Sequence, residues 1–311
     1  MRQDFSIRPS RFARAVDRLD HIRDGGSNDA LIRLGFPSVD RLIGGGMHIG
    51  DLLLLAGDAG SGTSALAIGV ALRAAALQSA EDAAAHTADE SPVSSPRVLY
   101  LTAESTLDRA HARMLGIAAR ISSEAMRSGT VDDISRARLA ATAIELRDRG
   151  PTIEQLEAGA SALETLLERM RSVQLVIVDG VESMLHVGNA MRTSRDDALA
   201  DLVLGLKRMA IAHEVALIAV SHLADVSVAR RPVLSDLGAR GAAGIHADIV
   251  LGLFREELYQ QDLGITGAAE VILLKHREMP PAYADLYFDS SMLRFEDLLD
   301  EDSWRLSGDE S

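Results

Sequence analysis

The 311 residues contain no cysteine. Disulfides and thiolate-held metals are excluded, and the composition fits a cytoplasmic protein without requiring one. No apolar run approaches the ~18 residues that cross a bilayer, so no membrane partner is expected. The first twenty residues lack the apolar stretch of a signal peptide. Positive charge is in deficit, with a formal net charge of −14. That argues against a protein that coats duplex DNA, because phosphate binding needs clustered Lys and Arg. A local basic channel stays open, since net charge does not report distribution. What is present is ordinary for a globular chain: 47% hydrophobic and 25% charged residues, enough for one large domain or two small ones.

Residues 1–30 read as a basic lead. Phe12, Ala15, Val16 and Leu19 recur at helical spacing, which predicts a short amphipathic helix over 9–23, packed on its own domain or on a neighbour. From residue 31 the pattern becomes α/β. Leu52–Ala56 is a short continuous apolar run, as in a parallel strand buried on both faces. An Ala-rich helix is predicted over 63–79. The segment 80–96, poor in large apolar residues and holding two prolines, reads as a flexible surface insertion. Further strands are predicted at Val98–Thr102, Val173–Val178, Ala216–Val220, Ile249–Phe254 and Glu270–Lys275. Helices are predicted from Thr106, over most of 123–170, and along Leu199, Leu202, Val203, Leu206 and Met209. The tail 298–311 is acidic and expected to fray. Such alternation implies a mainly parallel central sheet with helices on both faces.

Gly57-Asp58-Ala59-Gly60-Ser61-Gly62-Thr63-Ser64 lies between a buried strand and a helix. The phosphate-binding loop has the form G-x-x-x-x-G-K-[ST] in that setting. Gly57, Gly62 and Ser64 match, and backbone N–H groups at the helix start would face phosphates. Ser64 would hold Mg²⁺. The lysine is absent, with Thr63 in its place. A charge-assisted hydrogen bond is worth about 1.5–3 kcal/mol, so ATP binding should be weak. Turnover should suffer more, because the lysine also faces transition-state charge. Val173–Val178 ends in Asp179, the form of an acid that orders the Mg²⁺ water shell. Alone, a strand-ending aspartate is common.

With these elements, Leu34-Gly35-Phe36-Pro37-Ser38-Val39-Asp40-Arg41-Leu42 and Gly44-Gly45-Gly46 resemble the entry to the RecA-like P-loop core shared by DnaB, RadA and KaiC proteins. Val98–Glu104, Arg231–Leu237 with Ala247–Val250, Lys275-His276-Arg277 and Arg294-Phe295-Glu296 resemble the DnaB-type replicative helicase family most closely. The resemblance covers about 31–297 and implies a RecA-like α/β fold. It implies that Glu104 polarises the attacking water and that His222 stands at the γ-phosphate sensor, where the family has glutamine. It also implies that Lys275 and Arg277 reach into a neighbouring RecA-like subunit, either a copy of this chain or a replicative helicase. The family's N-terminal helical domain is not expected in the residues before 31.

Departures at Thr63 and His222 point to a helicase-core protein linked to DNA replication that binds ATP weakly and acts as a regulatory or accessory subunit. An active ATP-dependent helicase with a rearranged site, or a RadA- or KaiC-like nucleotide-binding scaffold, are the alternatives. In the family, two loops face a channel for single-stranded DNA. Here they hold Arg192 and Arg195, flanked by Asp196 and Asp197, then Arg230, Arg231 and Arg240. Aromatics are few there, so base stacking is not supported. Mixed-charge surface loops are the plainer reading.

Overall fold

The computed structural model describes residues 31–85, 97–157, 160–170, 172–185, 195–223, 230–237, 241–259 and 265–298. The predicted helix over 9–23 and the acidic tail from 299 lie outside the described residues. The described residues from 32 onward cluster as one compact unit.

Its frame is a nine-stranded sheet, counted among the described residues. In chain order the strands are β1 (Leu52–Gly57), β2 (Val98–Thr102), β3 (Thr152–Gln155), β4 (Leu175–Asp179) and β5 (Ala216–His222). They continue with β6 (Ile249–Phe254), β7 (Ala268–His276), β8 (Tyr283–Asp289) and β9 (Arg294–Asp297). Across the sheet the order is β9-β8-β7-β6-β1-β5-β4-β2-β3. The strands from β6 to β3 run parallel, and β7, β8 and β9 add antiparallel.

The central strands have no polar face because both faces are covered. Leu53 and Leu55 of β1 join one core with Leu175 and Ile177, while Leu52 and Leu54 join another with Val176 and Val178. The first core is closed by α1 (Pro37–Leu42), α2 (Thr63–Ala85) and α3 (Leu107–Ala119). Past α3, two helices follow, α4 (Ser123–Ser128) and α5 (Asp133–Arg149). The second core is closed by α6 (Ala160–Arg169), α7 (Arg195–Ala212) and α8 (Ala242–His246). Residues Thr63–Glu81 of α2 are apolar enough to cross a membrane by length and composition, and 56% of that stretch is buried inside the domain. Its apolar character is that of a core helix.

One expectation is corrected, and two strands are added to the expected set. The segment 80–96 is not wholly an insertion: α2 continues to Ala85, because Ala80, Ala83, Ala84 and Ala85 are strong helix formers. Residues 86–96 lie outside the described residues. The stretch 123–170 is mostly helical as expected, and Thr152–Gln155 within it adds the edge strand β3 beside β2. Gly150-Pro151 ends the preceding helix, and only the open edge of β2 makes the next residues a strand. Strand β8 is an addition to the expected set, although Ala284, Leu286 and Phe288 are buried between exposed Tyr283, Asp285 and Tyr287. That alternation of period two is legible in the sequence.

Candidate functional site

The carboxyl ends of β1, β2, β4 and β5 gather the loop 57–64, Glu104, Asp179 and His222 at one end of the sheet. Register fixes this: Gly57 lies beside His222, Asp179 beside Val220, and Thr102 beside Asp179. The loop 58–62 turns from β1 into α2. Gly57 must lack a side chain, because a Cβ there would lie 2.4 Å from Ser61 Oγ and 2.8 Å from Thr63 Cγ2. Gly62 has φ +100°, a backbone state that favours glycine. Thr63 is 3% exposed. Its side chain is packed inward against Gly57 rather than presented to a ligand. Ser61 Oγ is also buried, and it has no hydrogen-bond partner among the described residues.

Ser64 donates to Asp179 Oδ1 at 3.0 Å, and the Tyr100 hydroxyl donates to Asp179 Oδ2. Burial pushes the Asp179 carboxyl up, and the bonds from Tyr100 and Ser64 oppose it. Burial, then the Asp179 charge, push the Tyr100 phenol well above its ordinary value, so it stays a donor. Glu104, just beyond β2, accepts from Ser183 at 3.2 Å, and its other oxygen lies 3.6 Å from His222 Nε2. Both side chains are about two-fifths open to solvent. Glu182 holds the end of β5 by accepting from Ser221 Oγ at 2.5 Å and from the His222 N–H at 2.9 Å.

A nucleotide phosphate fits this cradle. The first-turn N–H groups of α2 have no intrahelical partners, and the buried Ser61 hydroxyl is an unsatisfied polar group. Among the described residues no three His, Asp or Glu side chains converge as a ready metal site. Ser64 and Asp179 are hard oxygen donors of the kind Mg²⁺ takes, with phosphate and water completing its shell. A surface groove of about 510 Å³ lies elsewhere, between α3, α5 and β3, and includes none of residues 57–64, Glu104 or Asp179.

Lys275 and Arg277 stand at the opposite end of the sheet. Ile249 pairs with both Leu53 and His276, whereas Gly57 pairs with Leu253. The offset of four residues is about 13 Å at strand rise, so neither cation serves this chain's own loop. Arg277 is 66% exposed and pairs with Asp248 at 2.9 Å. Lys275 does not reach outward as expected. Its ammonium donates to the carbonyls of Gly244, Ile245 and Ala247 at 2.6–2.9 Å, using all three donors to close the end of α8. Arg230 and Arg231 form two-point pairs with Asp236 and Glu270. Arg192 and Arg240, and the side chain of Arg195, lie outside the described residues.

Sequence reading missed several residues. Tyr100 carries a signal that could have found it: a single hydroxyl-tipped ring inside an apolar strand needs a buried partner. Arg113, exposed on α3, acts electrostatically on both Asp179 and Tyr100. Arg255, 6% exposed, lies over the Phe288 ring and donates to the Gly60 carbonyl at 3.2 Å from beneath the loop. Nothing local marks Arg255, because the contact spans 195 residues.

Comparison with known proteins agrees with this layout. The family model of the DnaB-like helicase C terminal domain matches residues 32–297. The replicative DNA helicase DnaB of Leifsonia xyli subsp. xyli is 27% identical over 293 residues, covering 91% of this chain and 60% of that protein. DnaB of Rickettsia prowazekii is 27% identical over 277 residues, covering 81% and 55%. The chain thus spans somewhat over half the length of these relatives. In three dimensions it is similar to a solved ATPase domain, with TM-score 0.78 and 21% identity over 94% of this chain and all of that one. A DnaB-like replicative helicase studied with primase gives TM-score 0.77 and 21% identity, covering 94% of this chain and 68% of that one. The sheet order is that of a RecA-like ATPase core, and the match over 32–297 places this chain in the family of DnaB-like helicase C-terminal domains.

Proposed function

We propose that this chain is a helicase-core subunit in DNA replication that binds ATP and Mg²⁺ weakly and serves an accessory or regulatory role beside other RecA-like subunits. The observation that carries the reading is Thr63. The residue at the lysine position is buried and neutral, while the oxygen pair of Ser64 and Asp179 behind it stays in place. Backbone N–H groups of the loop bind the phosphates, Ser64 and Asp179 hold the metal side, and Glu104 orients a water. Bound Mg²⁺ would neutralise phosphate charge. The loop lacks its own cation, and His222 stands where the family has glutamine.

Titration calorimetry with ATP and Mg²⁺ tests this. The native chain should bind weakly, and Thr63→Lys should tighten binding by about 1.5–3 kcal/mol, or roughly one to two powers of ten. No change would mean that the loop does not cradle phosphate. The retained Ser64–Asp179 pair, with Glu104 beyond β2, favours a second reading, an active helicase with a rearranged site. ATP turnover stimulated by single-stranded DNA would select it.

Arg277 supports work beside a second subunit. It is exposed and faces away from this chain's own loop, so any phosphate it meets belongs to a neighbour. Arg277→Ala should cost the isolated chain about 1 kcal/mol, since it takes one partner from Asp248, which keeps Lys207. It should weaken ATP-dependent self-association or binding to a replicative helicase, read by sedimentation. Identical monomeric behaviour of both proteins, with the helicase added, would remove the subunit reading.

A further inference from the structure

We infer that Tyr100 is a latch on the metal half of the site, its hydroxyl holding Asp179 in a state already satisfied without a cation. This rests on the nucleotide reading above and adds a second reason for weak, metal-poor binding, independent of Thr63.

The geometry begins with strand pairing. Tyr100 lies opposite Ile177 on β4, two positions before Asp179. Its neighbours Val98, Leu99 and Leu101 are apolar and buried, and Tyr100 is itself 2% exposed. A phenol so placed must find an acceptor, and the acceptor it finds is Asp179 Oδ2. Ser64 takes Oδ1. Both oxygens of a carboxylate that is 8% exposed are therefore bonded within the chain.

The chemical consequence has a sign. A carboxylate beside Mg²⁺ is useful because its charge and lone pairs remain available to the metal's water shell. A phenol hydrogen bond draws on that charge and fills the position beside it. Each oxygen accepts more than one bond, so the latch weakens the hold on metal-bound water and does not abolish it. Removing the hydroxyl while keeping the ring should return Oδ2 to the metal. The opposite role, in which Tyr100 orients Asp179 for the metal, predicts the opposite change.

The test compares Thr63→Lys with Thr63→Lys/Tyr100→Phe in the full chain, where the restored lysine makes ATP affinity measurable. Each is titrated with ATP in excess Mg²⁺ and again in excess EDTA. The ratio of the two affinities should rise about tenfold on loss of the hydroxyl, as for one charge-assisted hydrogen bond released. The affinity in EDTA should stay within about twofold, the spread expected where no contact to the ligand is lost. Tyr100→Leu, which also lacks the hydroxyl, serves in the same comparison should the phenylalanine variant melt early. An unchanged or smaller ratio with intact ATP binding overturns the latch alone. Absence of ATP binding by either protein under both conditions overturns the nucleotide reading, and the latch with it.

Discussion

Asp248→Ala should destabilise the fold by about 3–5 kcal/mol, the cost of removing one partner from a buried ion pair. Asp248 is 4% exposed, at the step from α8 into β6. One of its oxygens accepts the Leu52 N–H at 2.8 Å and the Lys207 ammonium at 2.5 Å, and the other meets Arg277. It therefore ties the start of the phosphate-loop strand to α7. Truncation leaves the Leu52 N–H without its acceptor and takes the carboxylate from a Lys207 side chain only 15% exposed, which keeps only the Gly50 carbonyl at 2.7 Å. At roughly 2–4 °C per kcal/mol for a domain of this size, the midpoint should fall by roughly 6–20 °C. Urea unfolding of Asp248→Ala and of Asp248→Leu/Lys207→Met decides the cause. The apolar pair should recover most of the loss, because it strands no charge. A loss under about 1 kcal/mol for the single variant would mean that water already satisfies Lys207.

Stability should also fall as pH rises from about 4 to about 6, through Asp40. Its carboxyl accepts the N–H groups of Leu34 at 2.7 Å and Gly35 at 3.0 Å, and so closes the turn that leads into α1. Burial raises its pKa from 3.8 to about 6 in spite of those bonds. Between these values the folded chain holds a proton that the unfolded chain has released, so stability decreases with pH across the window. The contribution is complete below 3.8 and lost above about 6. A shift of this size corresponds to about 3 kcal/mol between the two ends. Other carboxylates titrate in the same range, so the measurement is a difference. Urea unfolding at several pH values should show that decline in the native chain and not in Asp40→Ala. Parallel profiles would mean that Asp40 titrates as an ordinary aspartate.

The proposed phosphate loop is legible because its pattern is local. Gly57, Gly62 and Ser64 occupy a short run between an apolar strand and an Ala-rich helix, and the missing lysine at Thr63 is visible in the same run. Asp179 is legible for the same reason, as the acid that ends an apolar strand. Strand β3 is not, because four residues with one half-buried apolar side chain, Ile153, become a strand only by pairing with β2. Lys275 misleads because an exposed-looking Lys-x-Arg gives no hint of three helix-end carbonyls some thirty residues earlier in the chain.

The class of fold, the place of the phosphate loop and the chemical gap in it are written in the order of residues alone. Period, turn chemistry and a missing charge are properties of neighbours along the chain. What each polar group is bonded to comes only with folding. Thr63 is turned inward, Tyr100 closes on Asp179, Arg255 supports the loop from below, and Arg277 faces away from its own site. Those are contacts between strands and loops far apart in the chain. They arise because parallel pairing carries the carboxyl ends of four separate strands to one end of the sheet, and the energy of a buried polar group depends on the partner found there.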